Sequence, residues 1–255
     1  MNIKGLDALR AQVPEVATTW GLLLVALAIL AVLVATSLFF LAADRWFAAW
    51  MPDGEIVVLA LGFLLLSRFF SQRERYRQKY GERAYQVAFG RFGVWGLGII
   101  GASLAHLAYI SGPEIPGVWW KPWLQALGWF LLAAGSLLWG RAVNSLGIDS
   151  LAMLYVYHPR QGPRLEGGVY SILRHPIYAA AMHIGWGLAL IHANWYALLV
   201  ALLLPLFFTG WVRLVEEREL LQRFPDYAAY RRSVPAFLPR PGNVLCLWRL
   251  LVFGS

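Results

Sequence analysis

Residues 19–43 read TWGLLLVALAILAVLVATSLFFLAA, with no charged side chain anywhere in the stretch. Roughly 20 consecutive apolar residues suffice to cross the hydrocarbon core as a helix, so this segment alone places the chain in a membrane. Of 255 residues 59% are hydrophobic and 14% charged, against roughly a quarter charged in a soluble domain. Residues 56–70, 92–110, 119–140, 176–193 and 195–215 are further apolar runs. The expectation is an all-α, polytopic bundle of about six transmembrane helices. The last two runs are separated by almost nothing and form a helical hairpin, and Trp119, Trp120 and Trp123 are interface anchors for the fourth. The opening stretch, with Lys4, Asp7, Arg10 and Glu15, lacks a small-residue cleavage pattern, so the first helix reads as retained.

The formal charge is +8, but the cations lie between apolar runs rather than on one soluble face, which argues for membrane topology and against nucleic acid. Lys and Arg crowd the N-terminal arm, the segments after the second and fourth runs, and the C-terminal tail, leaving Arg45 and Lys121 for the other side. Six crossings with both termini in the cytoplasm satisfy the positive-inside rule, and a bacterial inner membrane is the expected location. Cys246 is the single cysteine, so neither an internal disulfide nor a multi-cysteine metal site is available. Residues 1–140 read as a four-span scaffold with acceptor access, and residues 141–255 as the cofactor-binding half. Leu220, Leu221, Phe224 and Tyr227 recur at helical spacing, which predicts that the sixth helix continues into the tail until Pro235, Pro239 and Pro241 end it. Residues 244–253 suit one more interfacial helix.

Two polar blocks carry chemistry. Gly167-Gly168-Val169-Tyr170-Ser171-Ile172-Leu173-Arg174-His175-Pro176-Ile177-Tyr178 enters the fifth run; Glu216-Glu217-Arg218-Glu219-Leu220 leaves the sixth. The hairpin returns both to one membrane depth, where two cations face two carboxylates. Arg174 offers a donor fork suited to a carboxylate, and Glu216 and Glu217 accept from an ammonium or from ribose hydroxyls. Tyr170 and Tyr178 offer faces for a base or a sulfonium. A structural ion network is the competing reading of the same residues. His106, His183 and His192 read as hydrogen-bonded packing residues, and neither His158 nor His175 has a second ligand at zinc spacing.

Gly-Val-Tyr at 168–170, Arg-His-Pro-x-Tyr at 174–178, the hairpin, Glu-Glu-Arg-x-Leu at 216–220, Asp-Tyr-x-x-Tyr at 226–230 and Val-Pro at 234–235 together resemble the isoprenylcysteine carboxyl methyltransferase and phospholipid methyltransferase superfamily. The resemblance covers residues 164–241. It implies an integral membrane enzyme that takes S-adenosyl-L-methionine from the cytoplasm and admits a lipophilic or small thiol acceptor from the bilayer. It implies cofactor binding by Leu165, Gly168, Tyr170, Arg174, His175, Tyr178, Glu216 and Glu217, with Arg174, His175 and Glu217 as catalytic candidates. Gly162-Pro163-Arg164 stands where many prenylcysteine enzymes carry a His, and Pro225 where a glycine is common; both depart from the prenylcysteine pattern. Residues 146–159 look like the methanethiol S-methyltransferase branch. The rival readings are an NADPH-dependent sterol-type membrane reductase, and a transporter or scaffold without enzymatic activity.

Overall fold

The computed structural model describes residues 4–117, 119–159 and 167–254, and the regular elements among them are helices. A short arm, α1 (Leu6–Gln12), precedes α2 (Thr19–Phe47), whose start is capped by the Thr18 hydroxyl accepting from Gly21 N at 3.1 Å. A 3₁₀ turn, Ala48–Trp50, reverses the chain into α3 (Met51–Ser71). Then come α4 (Arg73–Tyr80), α5 (Ala84–Ala88) and, through a π-turn at Phe89–Gly93, α6 (Val94–His106). The long α7 (Lys121–Leu146) is followed by one turn, α8 (Ile148–Leu151). The hairpin consists of α9 (Pro176–His192) and α10 (Trp195–Trp211). A second π-turn, Val212–Glu216, leads into α11 (Glu217–Arg223), then α12 (Tyr227–Ser233) and α13 (Val244–Phe253).

Four helical runs among the described residues are long and apolar enough to cross a membrane: Thr19–Ser71, Arg73–His106, Lys121–Leu146 and Trp195–Arg223. The first contains the reversal at Ala48–Trp50 and so supplies two legs, α2 and α3. With 17 residues, α9 is roughly 25 Å long at 1.5 Å per residue. The outer surface is what lipid requires: Leu24, Leu30, Leu38, Val57, Leu64, Phe130, Leu202 and Leu206 are all exposed.

Hydrogen bonds sort the connections into two ends. At one end His106, closing α6, sits between Asp44 of α2 (Nε2 to Oδ2, 3.1 Å) and Glu55 of α3, which pairs with Nδ1. Phe40 stacks on the imidazole at 4.3 Å. Isolated charges at this depth are expensive, and the three side chains, all buried, satisfy one another in part. Trp195 N bonds Pro113 O, and His192 donates to Ile110 O at 2.9 Å, which fastens the α9–α10 turn to the same end. Trp46, Trp50, Trp119 and Trp123 ring this end, exposed, as interface anchors do.

The other end gathers the basic segments. Arg77 bonds Tyr157 O, the Tyr157 hydroxyl donates to Phe69 O at 3.1 Å, and Tyr85 donates to Ala152 O at 2.9 Å. Lys4 reaches Ser145 O, and Arg141 donates to Leu251 O at 3.2 Å, so both chain ends pack on the last turns of α7.

Two expectations need revision. The second apolar helix begins at Met51, not 56, because Pro52 occupies its first turn and Glu55 is paired inside rather than solvated. The tail is not one helix, because it breaks between α11 and α12. Pro225 removes a donor and pushes Phe224 to extended backbone (φ −121°, ψ 108°).

The closest helix pair is α7 on α9. A Cβ at Gly187 would lie 2.7 Å from Gly128 O, and one at Gly128 would lie 2.8 Å from Gly187 O; the backbones touch because neither residue has a side chain. Gly187→Ala should therefore lower stability in detergent by about 1–3 kcal/mol. Gly210→Ala, whose added methyl meets nothing within 4 Å, should be neutral or stabilising. Equal thermal shifts in the two variants would refute the close-packing account.

Candidate functional site

The entrance to α9 is held by the tail. Arg174 N donates to Pro235 O at 2.9 Å and His175 N to Ala236 O at 3.0 Å, so residues 235–236 run beside 174–175. Proline at position 176, first in the helix, fixes where α9 starts, since it needs no donor there. Tyr230 closes the flank by donating to Tyr170 O at 2.6 Å.

Glu217 lies at the centre of this arrangement, 2% exposed. Its Oε1 meets Arg174 Nη2 at 3.0 Å, Arg174 Nε at 3.2 Å, His175 Nε2 at 3.3 Å and the Tyr227 hydroxyl at 3.5 Å. Its Oε2 faces Arg231 Nε at 3.3 Å. Arg174 Nη1 also donates to Arg231 O at 2.7 Å and to Val234 O. The structural ion network and the ligand pocket, read from sequence as competitors, are thus both present. Arg174 and Glu217 mainly bind each other and the tail, and what they build is the wall of a cavity.

That cavity, about 270 Å³, lies toward the basic end of the bundle. Its polar wall includes Tyr155, Tyr170, Arg174, His175, Glu216 and Arg223; its inner wall is apolar, with Phe63 and Leu66 of α3, Ile100 and Leu104 of α6, and Phe208 of α10. Of the residues expected to bind a cofactor, Tyr170, Arg174, His175, Tyr178 and Glu216 line it. Glu217 stands behind the lining, Gly168 is exposed at the head of the turn carrying Tyr170, and Leu165 falls outside the described residues.

Consecutive glutamates part because neighbouring helical residues project about 100° from one another: Glu217 meets the tail and Glu216 the cavity. The π-turn at Val212–Glu216 shifts the register of both relative to α10. Glu216 Oε1 lies 3.6 Å from His175 Nδ1, while Oε2 is buried without a hydrogen-bond partner. A buried carboxylate oxygen left unpaired is costly, so this atom marks where a ligand donor belongs. Tyr178 stacks on His175 at 5.9 Å and accepts from Trp211 Nε1 at 3.0 Å.

Protonation follows from these contacts. Burial disfavours a charged His175, but the adjacent Glu216 and Glu217 carboxylates outweigh it and hold the ring's pKa above the ordinary 6.5. Burial first, then Glu216, pushes the Tyr155 and Tyr170 phenols up, so both remain neutral donors.

Sequence reading missed Tyr155 and Arg223 as wall residues and Tyr227 and Arg231 as partners of Glu217. The signal for Arg223 was available: seven residues after Glu216, nearly two helical turns, it shares that residue's face. Tyr155 has no such signal, because an irregular segment delivers it. Among the described residues no three His, Cys, Asp or Glu side chains are arranged to hold a metal ion.

Comparison with known proteins agrees with the sequence resemblance. Residues 123–226 match the family model described as phospholipid methyltransferase. Over 154 residues the chain is 30% identical to the cobalt-zinc-cadmium resistance protein CzcN of Cupriavidus metallidurans, covering 59% of this chain and 64% of that protein. Over 152 residues it is 30% identical to the nickel-cobalt-cadmium resistance protein NccN of Alcaligenes xylosoxydans xylosoxydans, covering 59% of this chain and 65% of that one. The chain therefore spans somewhat under two thirds of the length of either relative. No solved structure matches it significantly. The matched segment runs from the first turn of α7 to the residue before α12 and contains both Arg174–His175 and Glu216–Glu217.

Because the folded pKa of His175 lies above the unfolded one, its charged ring stabilises the fold fully below about pH 6.5. That contribution is lost as pH rises through the folded value. Thermal unfolding in detergent should show a melting temperature a few degrees higher near pH 6 than near pH 8.5. His175→Gln should flatten that difference, and a variant keeping the full wild-type slope would contradict the assignment.

Proposed function

Taking residues 123–226 as a segment of the phospholipid methyltransferase family, we propose that this protein is an integral membrane methyltransferase using S-adenosyl-L-methionine. The supporting observation is the two-sided cavity: a polar mouth with an unpaired Glu216 oxygen, continuous with an apolar interior between α3, α6, α9 and α10. In this reading the chain crosses the bilayer six times, and the basic end, with the cavity mouth, faces the cytoplasm.

Bound S-adenosyl-L-methionine would supply an electrophilic methyl group on a sulfonium. Glu216 accepts the cofactor's ammonium, Tyr155 and Tyr178 present aromatic surface to its cationic or heterocyclic parts, and the tail excludes water over Arg174 and His175. The apolar wall orients the acceptor and keeps its approach dry, which is most of what an in-line displacement needs from a protein. His175 has Glu216 and Glu217 against its two nitrogens and holds its proton to higher pH than a free imidazole, so it positions rather than abstracts. This supports an acceptor that already carries a lone pair, a lipophilic thiolate or carboxylate, over a protonated phospholipid amine.

CzcN and NccN are named for metal resistance. The cavity wall here carries one carboxylate and one imidazole beside two arginines, a poor donor set for a divalent cation. Methyl transfer is therefore carried over from the family model and nothing is carried over from these two names.

Purified protein supplied with methyl-labelled cofactor and a panel of small thiols, prenylcysteine and phospholipid should place label in a thioether or a base-labile methyl ester. Glu216→Gln should reduce that incorporation roughly 10–100-fold, the effect of losing one hydrogen bond to a charged group. Label in phospholipid amine would shift the acceptor class. No transfer to any acceptor, with no binding of S-adenosylhomocysteine, would overturn the reading.

A further inference from the structure

The cavity contains a cation that the tail network leaves unused. Arg174 spends its guanidinium on Glu217, Arg231 O and Val234 O. Arg223, at the end of α11, does not. Its side chain is 10% exposed and lines the same cavity, yet Nε and Nη1 are buried without hydrogen-bond partners. Among the described residues the anion paired with it is Glu219, Oε1 at 3.6 Å from Nε, too far to be a hydrogen bond, and Glu219 Oε2 is itself without a partner. The guanidinium lies over the Tyr155 ring at 4.3 Å and the Phe224 ring at 4.5 Å. This aromatic bracket holds the plane and leaves the donor edge open.

Arg223 and Glu216 carry complementary unpartnered atoms in one cavity: Nε and Nη1 of the first are buried donors without acceptors, and Oε2 of the second is a buried acceptor without a donor, while its Oε1 faces His175. We propose that Glu216 and Arg223 form an α-amino-acid subsite, in which Arg223 takes the carboxylate and Glu216 the ammonium of the methionyl part of the cofactor. This rests on the methyltransferase reading and reassigns the carboxylate from Arg174, where the sequence put it, to a residue outside the paired motifs. Arg174 becomes a positioning residue. A planar fork suits a carboxylate, and Glu219, too distant to satisfy Arg223, balances its charge while the subsite is empty.

The test compares two ligands differing only in this group. S-adenosylhomocysteine carries the amino-acid portion, and 5′-methylthioadenosine lacks it. Titration calorimetry on the full-length wild type in detergent should detect both, the former more tightly. Arg223→Gln should weaken S-adenosylhomocysteine roughly 10–100-fold, as expected for a lost charge-assisted hydrogen bond, and leave 5′-methylthioadenosine within about twofold. Glu219→Gln frees Arg223 from its neighbour and should tighten S-adenosylhomocysteine alone, which tests the idea even if Arg223→Gln does not fold. Equal weakening of both ligands in Arg223→Gln, or unchanged S-adenosylhomocysteine affinity in both variants, would overturn the subsite; the latter pattern would leave Arg223 to an anionic acceptor. Wild-type protein that binds neither ligand would instead bring down the methyltransferase reading on which the subsite rests.

Discussion

One buried carboxylate organises the functional end of this protein. Glu217 is almost fully removed from solvent and is tolerable there only because Arg174, His175, Arg231 and Tyr227 surround it. Removing a charge from water costs several kcal/mol, and a buried pair recovers this only with good geometry and its remaining lone pairs satisfied. Such a cluster contributes little net stability but specifies one arrangement. Its partners come from the entrance to α9 and from the tail helix α12, and Glu217 itself begins α11, so satisfying it fixes all three relative to one another. The pairing of Arg174 and His175 amides with Pro235 and Ala236 carbonyls follows from that fixation. With the tail in place Tyr227 and Tyr230 complete the cavity wall.

Most of the fold was legible because lipid imposes a simple rule: long apolar runs must be helical and must cross. Where the rule weakened, so did the reading. The start of α3 looks like a loop in sequence, since Pro52, Asp53, Gly54 and Glu55 are residues that usually mark turns. Glu55 belongs inside because His106 awaits it 51 positions along the chain, and the other partner of that imidazole, Asp44, lies 62 positions from it. No periodicity records a pairing at that distance. The same holds for Arg231 and Glu217. The break before α12, by contrast, was written locally in Phe224–Pro225, and the recurrence of apolar side chains across it obscured a simple steric signal.

The site was legible in outline and misread in its division of labour. The motif residues converge on one place as their membrane depth requires, but charge alone did not separate wall from content. Arg174 and Glu217 were the obvious ligand groups by type, and they satisfy each other. Neighbouring helical positions divide the pair, Glu216 lining the cavity and Glu217 meeting the tail, and the π-turn at Val212–Glu216 sets a register that no sequence pattern announces. Hydrogen-bond accounting, rather than residue type, distinguishes a completed network from an open one.

Glu217 holds the tail over the cavity. Hydrogen exchange at the Arg174 and His175 amides, which bond the tail carbonyls, reports on that hold. In Glu217→Gln these two amides and those of α12 should exchange at least about tenfold faster than in wild type, while α7 and α9 stay protected. Unchanged protection at 174–175 in a folded variant would contradict the account, because the tail would then be held by something other than this carboxylate.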